Sequence, residues 1–346
     1  MKLQNVEVDS FVSAVKDQGQ KIVLYGAGVI GKVVLPYFIE EEQLEEHILF
    51  VADGDPHKHG DFVKIGEKDL EICSPEKIGQ VKERFVILIT GSRYEGILQY
   101  LEKMEFLSGT DVYIFPYMLV KRCRLFPKQE IRKISERPLI PKTIHYCWFG
   151  DGEMPDEWKQ YQESWKRFCP DYQIVEWNEK NYPLETRGFT RQAYRHKKWS
   201  FVSDMARLEI LYKYGGIYLD TDVELIRALD DLLYQPGFVG VEKWGVINSG
   251  GCCGAVPGHP IIGEILEARF RVPFEREDGS LNLESSGYYE SKPLLSRGFK
   301  PNNTVQVIGG MTVYSSDFFH PFDYMSKELC ITDNTYGIHH FTGSWL

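Results

Sequence analysis

Residues 200–224 read SFVSDMARLEILYKYGGIYLDTDVE and contain the pattern on which the fold assignment depends. The first half predicts a helix capped by Ser203 or Asp204, because a short polar side chain can accept from the free N–H groups of a first turn. Gly215 and Gly216 are expected to end this helix. Its apolar face is predicted from residues at helical spacing, namely Met205, Leu208, Leu211 and Tyr212.

The second half of this stretch predicts a buried strand that leads into two acids. Ile217–Leu219 is apolar, and Asp220 and Asp222 follow it. Residues two apart on a strand point to the same side, so the two carboxylates are expected to converge. Desolvated carboxylates repel each other unless a cation joins them, and oxygen ligands suit Mg2+ or Mn2+. We therefore expect a divalent metal ion here, able to hold a diphosphate as it leaves.

Two further polar residues lie on the helix before this strand. Asp204 and Arg207 are three positions apart and share one helical face. The acid can accept from ribose hydroxyls, and the guanidinium can bind diphosphate oxygens. Taken singly, Asp204 suits a helix cap, Arg207 a surface ion pair and DxD an ordinary loop. The combination of SDxxR, YGG and DxD is far more specific than any of its parts.

The composition is that of a soluble globular enzyme. The chain has 346 residues, which suggests about two domains. Its net charge of -10 argues against a general nucleic-acid binder. Neither a spanning apolar run nor a signal peptide is apparent. The seven cysteines have no CxxC spacing, so they are expected to be reduced thiols of a cytoplasmic protein.

Residues 1–120 alternate between strands and helices, which predicts a parallel α/β sheet of the Rossmann type. Gly26, Gly28 and Gly31 form a GxGxxG turn between a strand and a helix, and Asp53 ends the next strand. Such glycines let a phosphate approach the backbone, and the acid can hold a ribose. Cofactor binding at these four residues and a purely structural role both stay open.

Residues 121–137 are rich in Lys and Arg and are predicted to be a basic linker or bridging helix. A solvated charged face and contact with a membrane surface or anionic acceptor are the two interpretations. The second domain is predicted to cover residues 138–346 and to begin with the strand TIHYCW.

The string SDMARLEILYKYGGIYLDTD, with IPKTIHYCWFG upstream, resembles the DXD-containing family 32 glycosyltransferases across residues 138–346. The glycosylating domains of clostridial toxins are more distant relatives. The resemblance implies a GT-A fold, an α/β domain that binds nucleotide sugars. It also implies a metal-dependent transfer that retains anomeric configuration, with UDP-sugars as the favoured donors and a growing glycan as acceptor.

The resemblance also assigns roles to single positions. Trp148 would stack on the nucleotide base, and Asp204 would lie near the ribose and sugar with Arg207 beside it. Asp222 would bind the metal directly. Asp220 would contact the ribose or water on the metal.

The segment HHFTGSW near the C-terminus resembles the family's closing segment, which folds over the donor. There a His completes the metal shell, and Ser344 and Trp345 would meet the diphosphate. Its spacing favours His340 over His339 as the ligand. An imidazole beside carboxylates favours Mn2+ over Mg2+, and the segment is expected to behave as a lid.

Two weaker signals have an ordinary alternative each. Asn248, predicted to be exposed after a strand, would place its amide near the donor sugar, or would belong to a simple turn. Arg187, Arg191 and Arg195 share a helical face that would grip a phosphate-bearing acceptor, or would be solvated.

The sequence thus predicts an enzyme of polysaccharide or glycoconjugate biosynthesis with an accessory Rossmann-like domain. The acceptor is expected to be a glycan. Whether that glycan is lipid-linked at the inner face of the membrane stays open, and so does the formation of a homo-oligomer. Two alternatives remain: an NAD(P)-dependent sugar-nucleotide oxidoreductase or epimerase using the first domain, and a catalytically silent sugar-nucleotide-binding protein.

Overall fold

The computed structural model describes residues 1–5, 7–122, 126–150, 152–184 and 188–342, without the side chains of 121 and 122. The chain divides into two compact units, Met1–Leu125 and Phe126–Leu346. Most of the segment predicted as a basic linker therefore belongs to the second unit. It has no helix between 126 and 137 and is tied down by backbone bonds such as that from Ile134 N to Tyr234 O, 3.0 Å. Within the described ranges, no helix is long and apolar enough to span a bilayer.

The first unit is built on a seven-stranded sheet in the order β1-β7-β6-β2-β3-β5-β4. All its pairings are parallel except the hairpin between β4 and β5. The strands are β1 Lys2–Gln4, β2 Lys21–Tyr25, β3 Ile48–Ala52, β4 Phe62–Ile65, β5 Lys68–Cys73, β6 Phe85–Ile89 and β7 Asp111–Ile114. Its helices are α1 Val8–Asp17, α2 Leu35–Glu41, α3 Tyr94–Leu101 and α4 Phe115–Arg122.

The second unit is built on a mixed seven-stranded sheet in the order β14-β15-β12-β13-β10-β8-β9, beside a two-stranded sheet of β11 and β16. Its strands are β8 Thr143–Cys147, β9 Gln173–Trp177, β10 Gly216–Tyr218, β11 Val223–Leu225, β12 Gly237–Val241, β13 Ile247–Ala255, β14 Gln306–Ile308, β15 Met311–Tyr314 and β16 Gly337–His339. Its helices are α5 Asp156–Phe168, α6 Gly188–Arg195, α7 Trp199–Tyr214, α8 Pro260–Phe270 and α9 Ser286–Leu295. The predicted α/β class is confirmed.

Helix α7 starts earlier than predicted. The expected cap at Ser203 or Asp204 is wrong, because the helix begins at Trp199. The Ser203 hydroxyl donates to the carbonyl of Trp199 at 3.2 Å, one turn back, as hydroxyls inside helices do. Asp204 therefore lies within the helix and is free to act through its side chain.

The end of α7 follows the prediction. Gly215 and Gly216 have φ of 66° and 96°, which residues with a Cβ rarely adopt. A Cβ on Gly216 would also lie 2.8 Å from the carbonyl oxygen of Thr143. The double glycine thus lets the chain pass from α7 into β10 against the neighbouring strand β8.

The two-stranded sheet joins distant parts of the second unit. Strand β11 pairs with β16 in antiparallel register, Val223 opposite His339. Helix α5 supports it, because the Trp165 indole N–H donates to Val223 O at 2.7 Å and the Ser164 hydroxyl accepts from Leu225 N at 2.8 Å. This pairing carries the C-terminal segment to the acids that precede β11.

Candidate metal and donor site

Asp220, Asp222 and His339 form a cluster with the geometry of a metal site. One ligand atom from each lies within 4.8 Å of the others. The two acids occupy the turn between β10 and β11, closed by a bond from Val223 N to Asp220 O of 3.1 Å. They converge because of this turn, and not because both lie on one strand, since β10 ends at Tyr218. Two carboxylates and an imidazole are a donor set that Mn2+ accepts.

Asp222 has a different partner on each carboxylate oxygen. Oδ1 lies 3.3 Å from His339 Nε2. Oδ2 accepts from the backbone N and the hydroxyl of Thr342, at 2.9 and 3.0 Å. Burial alone would raise the pKa of Asp222, but the charge of His339 and the Thr342 bonds outweigh it and hold this pKa below its usual value.

His339 is the partner of Asp222 Oδ1. Burial has the largest single effect and lowers the pKa of His339, but the nearby carboxylates, Asp222 first among them, together outweigh it and raise this pKa above its usual value. Its Nδ1 has no hydrogen-bond partner in the described part of the chain. The ring stacks on Phe341 with centroids 4.0 Å apart, so its orientation is fixed by packing.

The structure places His339, and not the predicted His340, in the cluster, while the metal-ligand role of His340 stays a prediction. His340 Nε2 lies 3.1 Å from Glu224 Oε2, and its ring stacks on Tyr161 at 4.4 Å. Successive residues of a strand point to opposite faces, so β16 directs His339 towards Asp222 and the next residue away from it. Spacing within HHFTGSW contains no information about which face is which.

Asp204, Arg207 and Asp220 form a buried ion-pair chain next to the cluster. Arg207 is 5% exposed; it donates to Asp204 Oδ1, and its Nη1 lies 3.6 Å from Asp220 Oδ2. The Tyr218 hydroxyl donates to Asp220 Oδ1 at 3.0 Å. Burial raises the pKa of Asp204. Burial lowers the pKa of Arg207, but the charges of Asp220 and Asp204 outweigh it and raise this pKa.

Asn248 does not present the exposed amide that was predicted. It is half-buried; its carbonyl oxygen accepts from Gly250 N at 2.9 Å and Gly251 N at 3.2 Å, and its amide donates to Glu242 at 2.8 Å. The side chain thus fixes the bend of β13 beside the acids. Contact between Asn248 and the sugar donor stays a prediction. The second hydrogen of the Asn248 amide would make that contact.

Trp148 directly follows β8 and is half-buried. Its indole N–H donates to the carbonyl of Gly152 at 2.8 Å, and its ring meets Trp158 edge to face at 5.5 Å. The predicted base-stacking role of Trp148 stays a prediction. The expected diphosphate contacts of Ser344 and Trp345, like the phosphate grip of Arg187, lie outside the described residues.

Sequence reasoning missed two buried charges close to this site. Glu290 on α9 accepts from Ser249 N at 2.9 Å and from the Ser249 hydroxyl at 2.8 Å. Arg269 on α8 is 2% exposed and lies between the rings of Phe189 and Tyr289, at 4.2 and 4.1 Å. Charged residues this far from the DxD in sequence had no motif to identify them.

In the glycine motif of the first unit, the Asp53 carboxylate is already bonded to groups of the same unit. The Asp53 carboxylate accepts from Ala27 N at 2.6 Å, Asp55 N at 2.8 Å and Lys58 Nζ at 3.1 Å. A Cβ on Gly26 would lie 2.8 Å from the Thr90 hydroxyl, whereas Gly28 has open space. These bonds support the structural interpretation of Gly26, Gly31 and Asp53. Nucleotide binding here stays a prediction.

The two units match the models of two different protein families. Residues 155–239 match the model of the glycosyltransferase sugar-binding region containing the DXD motif. That range includes Asp204, Arg207, Asp220 and Asp222. Residues 2–116 match the model of a C-methyltransferase C-terminal domain, a likeness that the sequence analysis did not anticipate.

Several known proteins similar to this chain are named as glycosyltransferases. Inositol phosphoceramide mannosyltransferase 3 of Schizosaccharomyces pombe is 34% identical over 149 residues, 40% of each chain. Human alpha-1,4-N-acetylglucosaminyltransferase is 33% identical over 183 residues, 50% of this chain and 49% of that protein. The solved PaToxG glycosyltransferase gives a TM-score of 0.37 at 17% identity, covering 58% of this chain and 80% of that one, too low a score to support an argument about fold.

The resemblance to the DXD-containing glycosyltransferases is confirmed by these matches. The chain spans about two-fifths of the length of the yeast relatives. The second unit carries a glycosyltransferase family domain, and the activity of the whole protein is a separate question.

Proposed function

Because this chain carries the DXD-containing sugar-binding region of the glycosyltransferases, we propose that it moves a sugar from a nucleotide-sugar donor to a glycan acceptor, with a divalent metal ion as cofactor. The observation that supports this most directly is the Asp220, Asp222 and His339 cluster beside buried Arg207. A structural ion pair has no need of two acids and an imidazole within 4.8 Å.

The residues of the cluster fit a metal ion. Asp220, Asp222 and His339 would hold it, and the imidazole favours Mn2+ over Mg2+. A metal bound there would offset the negative charge of the departing diphosphate.

The surrounding residues preorganise the site. Arg207 is fixed between Asp204 and Asp220, so both carboxylates keep one orientation without reorganising during the reaction. Asp204 keeps a second oxygen with which to accept from a hydroxyl of the donor. Asn248 holds the bend that brings Gly250 against Asp220.

The proposed reaction breaks the bond between the sugar C1 and the diphosphate oxygen and forms one between C1 and an acceptor oxygen. The acceptor proton goes to the leaving phosphate, and anomeric configuration is retained. This route requires no dedicated protein base, which agrees with a site whose carboxylates are committed to Arg207, Thr342 and the cluster.

The finer identity of donor and acceptor is part of the proposal. We favour a UDP-sugar donor, which the family resemblance implies. We favour a glycan or lipid-linked glycan acceptor, since one relative is named as an inositol phosphoceramide mannosyltransferase and another as an alpha-1,4-N-acetylglucosaminyltransferase. We place the enzyme in polysaccharide or glycoconjugate biosynthesis, in the cytoplasm and at the inner face of the membrane. Cosedimentation with anionic vesicles tests that location.

A thermal-shift panel tests the activity proposal. UDP-glucose, UDP-N-acetylglucosamine and GDP-mannose are each added with and without Mn2+, and released nucleotide is assayed in parallel. One donor should raise the unfolding temperature, and only when Mn2+ is present. The corresponding gain in unfolding free energy is about 2.7 kcal/mol at a hundredfold excess over Kd. The variant Asp222→Asn should lose the shift, while Asp69→Asn, at an exposed site in the first unit, should keep it. A metal-independent shift of equal size in Asp222→Asn would contradict the proposal.

A further inference from the structure

Thr342 makes a two-point contact with a single carboxylate oxygen. Its backbone N and its hydroxyl both donate to Asp222 Oδ2, at 2.9 and 3.0 Å. The other oxygen, Oδ1, is the one that lies 3.3 Å from His339 Nε2. The two oxygens of Asp222 are therefore different, although nothing in a carboxylate itself distinguishes them.

We infer that Thr342 is a positioning residue for the metal: it occupies Oδ2 of Asp222 so that Oδ1 alone faces the ion beside His339. This inference rests on the proposed function, because it concerns how the proposed metal site is held in shape.

The physical argument begins with rotation of the carboxylate. Terminal carboxylate torsions are broad, so an unrestrained Asp222 would exchange its oxygens and change between one-point and two-point binding. Hydrogen bonds to a charged acceptor are stronger than those between neutral groups. Two of them on one oxygen give Asp222 a single preferred orientation. Partners of this kind outside the ligand set typically change metal affinity by about 10–100-fold.

The backbone around Thr342 is itself held in place. His340 N donates to Asp222 O at 3.0 Å, and Phe341 adopts a φ of 49° while stacking on His339. This turn redirects the chain after β16, so Thr342 contacts Asp222 Oδ2, the oxygen that is not the one beside His339. The same short segment thus supplies both the imidazole and the group that orients its partner.

The hydroxyl of Thr342 is the part that can be tested. Thr342→Val keeps the shape and the backbone N–H but removes one of the two bonds, whereas Thr342→Ser keeps both. Thr304→Val is the matched control, since that exposed hydroxyl bonds only within its own loop, to Asn302 at 2.6 Å. Thr342 is exposed, so Thr342→Val should still fold, and the metal-free unfolding temperature of each variant checks this.

The experiment is a Mn2+ titration followed by the paramagnetic resonance signal of the free ion, with and without UDP. We expect Thr342→Val to weaken Mn2+ binding about tenfold, with Thr342→Ser and Thr304→Val close to the unmodified protein. Equal affinity in Thr342→Val would overturn the inference and leave the proposed function standing. Tighter binding would overturn it too, because Thr342 would then compete with the ion. If the unmodified protein binds no Mn2+ under either condition, the inference falls together with the metal dependence of the proposed function.

Discussion

The amide N–H of Asp220 donates to the carbonyl of Gly250 at 2.8 Å, and the Asp220 carboxylate lies directly over the α-carbon of that glycine. A Cβ at position 250 would overlap Asp220 Oδ2 and lie 2.6 Å from Arg207 Nη1. Strand β13 therefore needs a residue without a side chain here, because two buried charged groups occupy that space.

We expect Gly250→Ala to destabilise the second unit by about 1–3 kcal/mol, the usual effect of overpacking, and to displace Asp220 from the cluster. Urea unfolding and Mn2+ titration measure the two effects. Gly188→Ala is the control, since a Cβ there meets open space. Normal Mn2+ affinity in Gly250→Ala would show that the close approach is not required.

The two adjacent histidines should behave differently. His339→Ala removes a side chain of the cluster, so we expect Mn2+ affinity to fall by at least about tenfold. His340→Ala breaks contacts with Glu224, Tyr161 and Phe322, none of them in the cluster, and should bind Mn2+ nearly as the unmodified protein does. A calorimetric titration of both variants decides the assignment, and the opposite ranking would restore His340.

The buried pair of Asp204 and Arg207 should matter far more for stability than an exposed pair. Arg207→Met leaves the half-buried Asp204 and Asp220 without the buried cation between them, and we expect a loss of about 3 kcal/mol in unfolding free energy, the lower end for a buried pair. Arg297→Met, which breaks the exposed pair with Glu264, should have a much smaller effect. Urea denaturation at neutral pH compares the two, and similar losses would argue against a tightly held Arg207.

Three of the four thiols that are buried in the described part of the chain, Cys147, Cys252 and Cys253, should resist alkylation in the native protein. Burial raises the pKa of Cys147 to about 12, and it raises the pKa values of Cys252 and Cys253 as well. Cys330 is exposed. Mass spectrometry after iodoacetamide treatment at pH 8 should find Cys330 modified and the three buried thiols intact until urea is added. Modification of Cys252 at the rate of Cys330 would contradict the buried placement of β13.

Asp53 should be needed for stability of the first unit and dispensable for sugar transfer. Asp53→Ala leaves the amide of Ala27 without its acceptor, which costs about 1–3 kcal/mol for a buried donor. The unfolding temperature should fall while turnover of the folded enzyme is unchanged. Asp61→Ala, at an exposed position, is the control. Lost turnover in a stable Asp53→Ala protein would favour nucleotide binding by this unit.

The parts of the site that lie close together in sequence were predictable. Residues 200–224 alone were enough to predict the helix, the double glycine that ends it and the acids that follow β10. Local residue preferences and the helical spacing of apolar residues encode these features. Asp204 and Arg207 were correctly expected to be neighbours because a helix brings residues three apart together. Strands β2, β3, β6 and β7 are short apolar runs, which is why the alternation of strands and helices in residues 1–120 was predictable.

The parts that depend on pairing between distant segments were not predictable. The choice between His339 and His340 depends on the register of β16 against β11, and a shift of one residue exchanges the two faces. Arg269 meets Phe189 and Tyr289 only because α6, α8 and α9 pack together. Strands β4 and β5 were missed because charged residues such as Lys68 and Asp69 interrupt their apolar pattern.

The pairing of β11 with β16 has a consequence for biosynthesis on the ribosome. Asp222 is translated 117 positions before His339, an interval of about 6–23 s at about 5–20 residues per second. During that interval the nascent chain has its acids without the imidazole that completes the cluster. Competence for metal should therefore appear only after β16 has been made and has paired with β11.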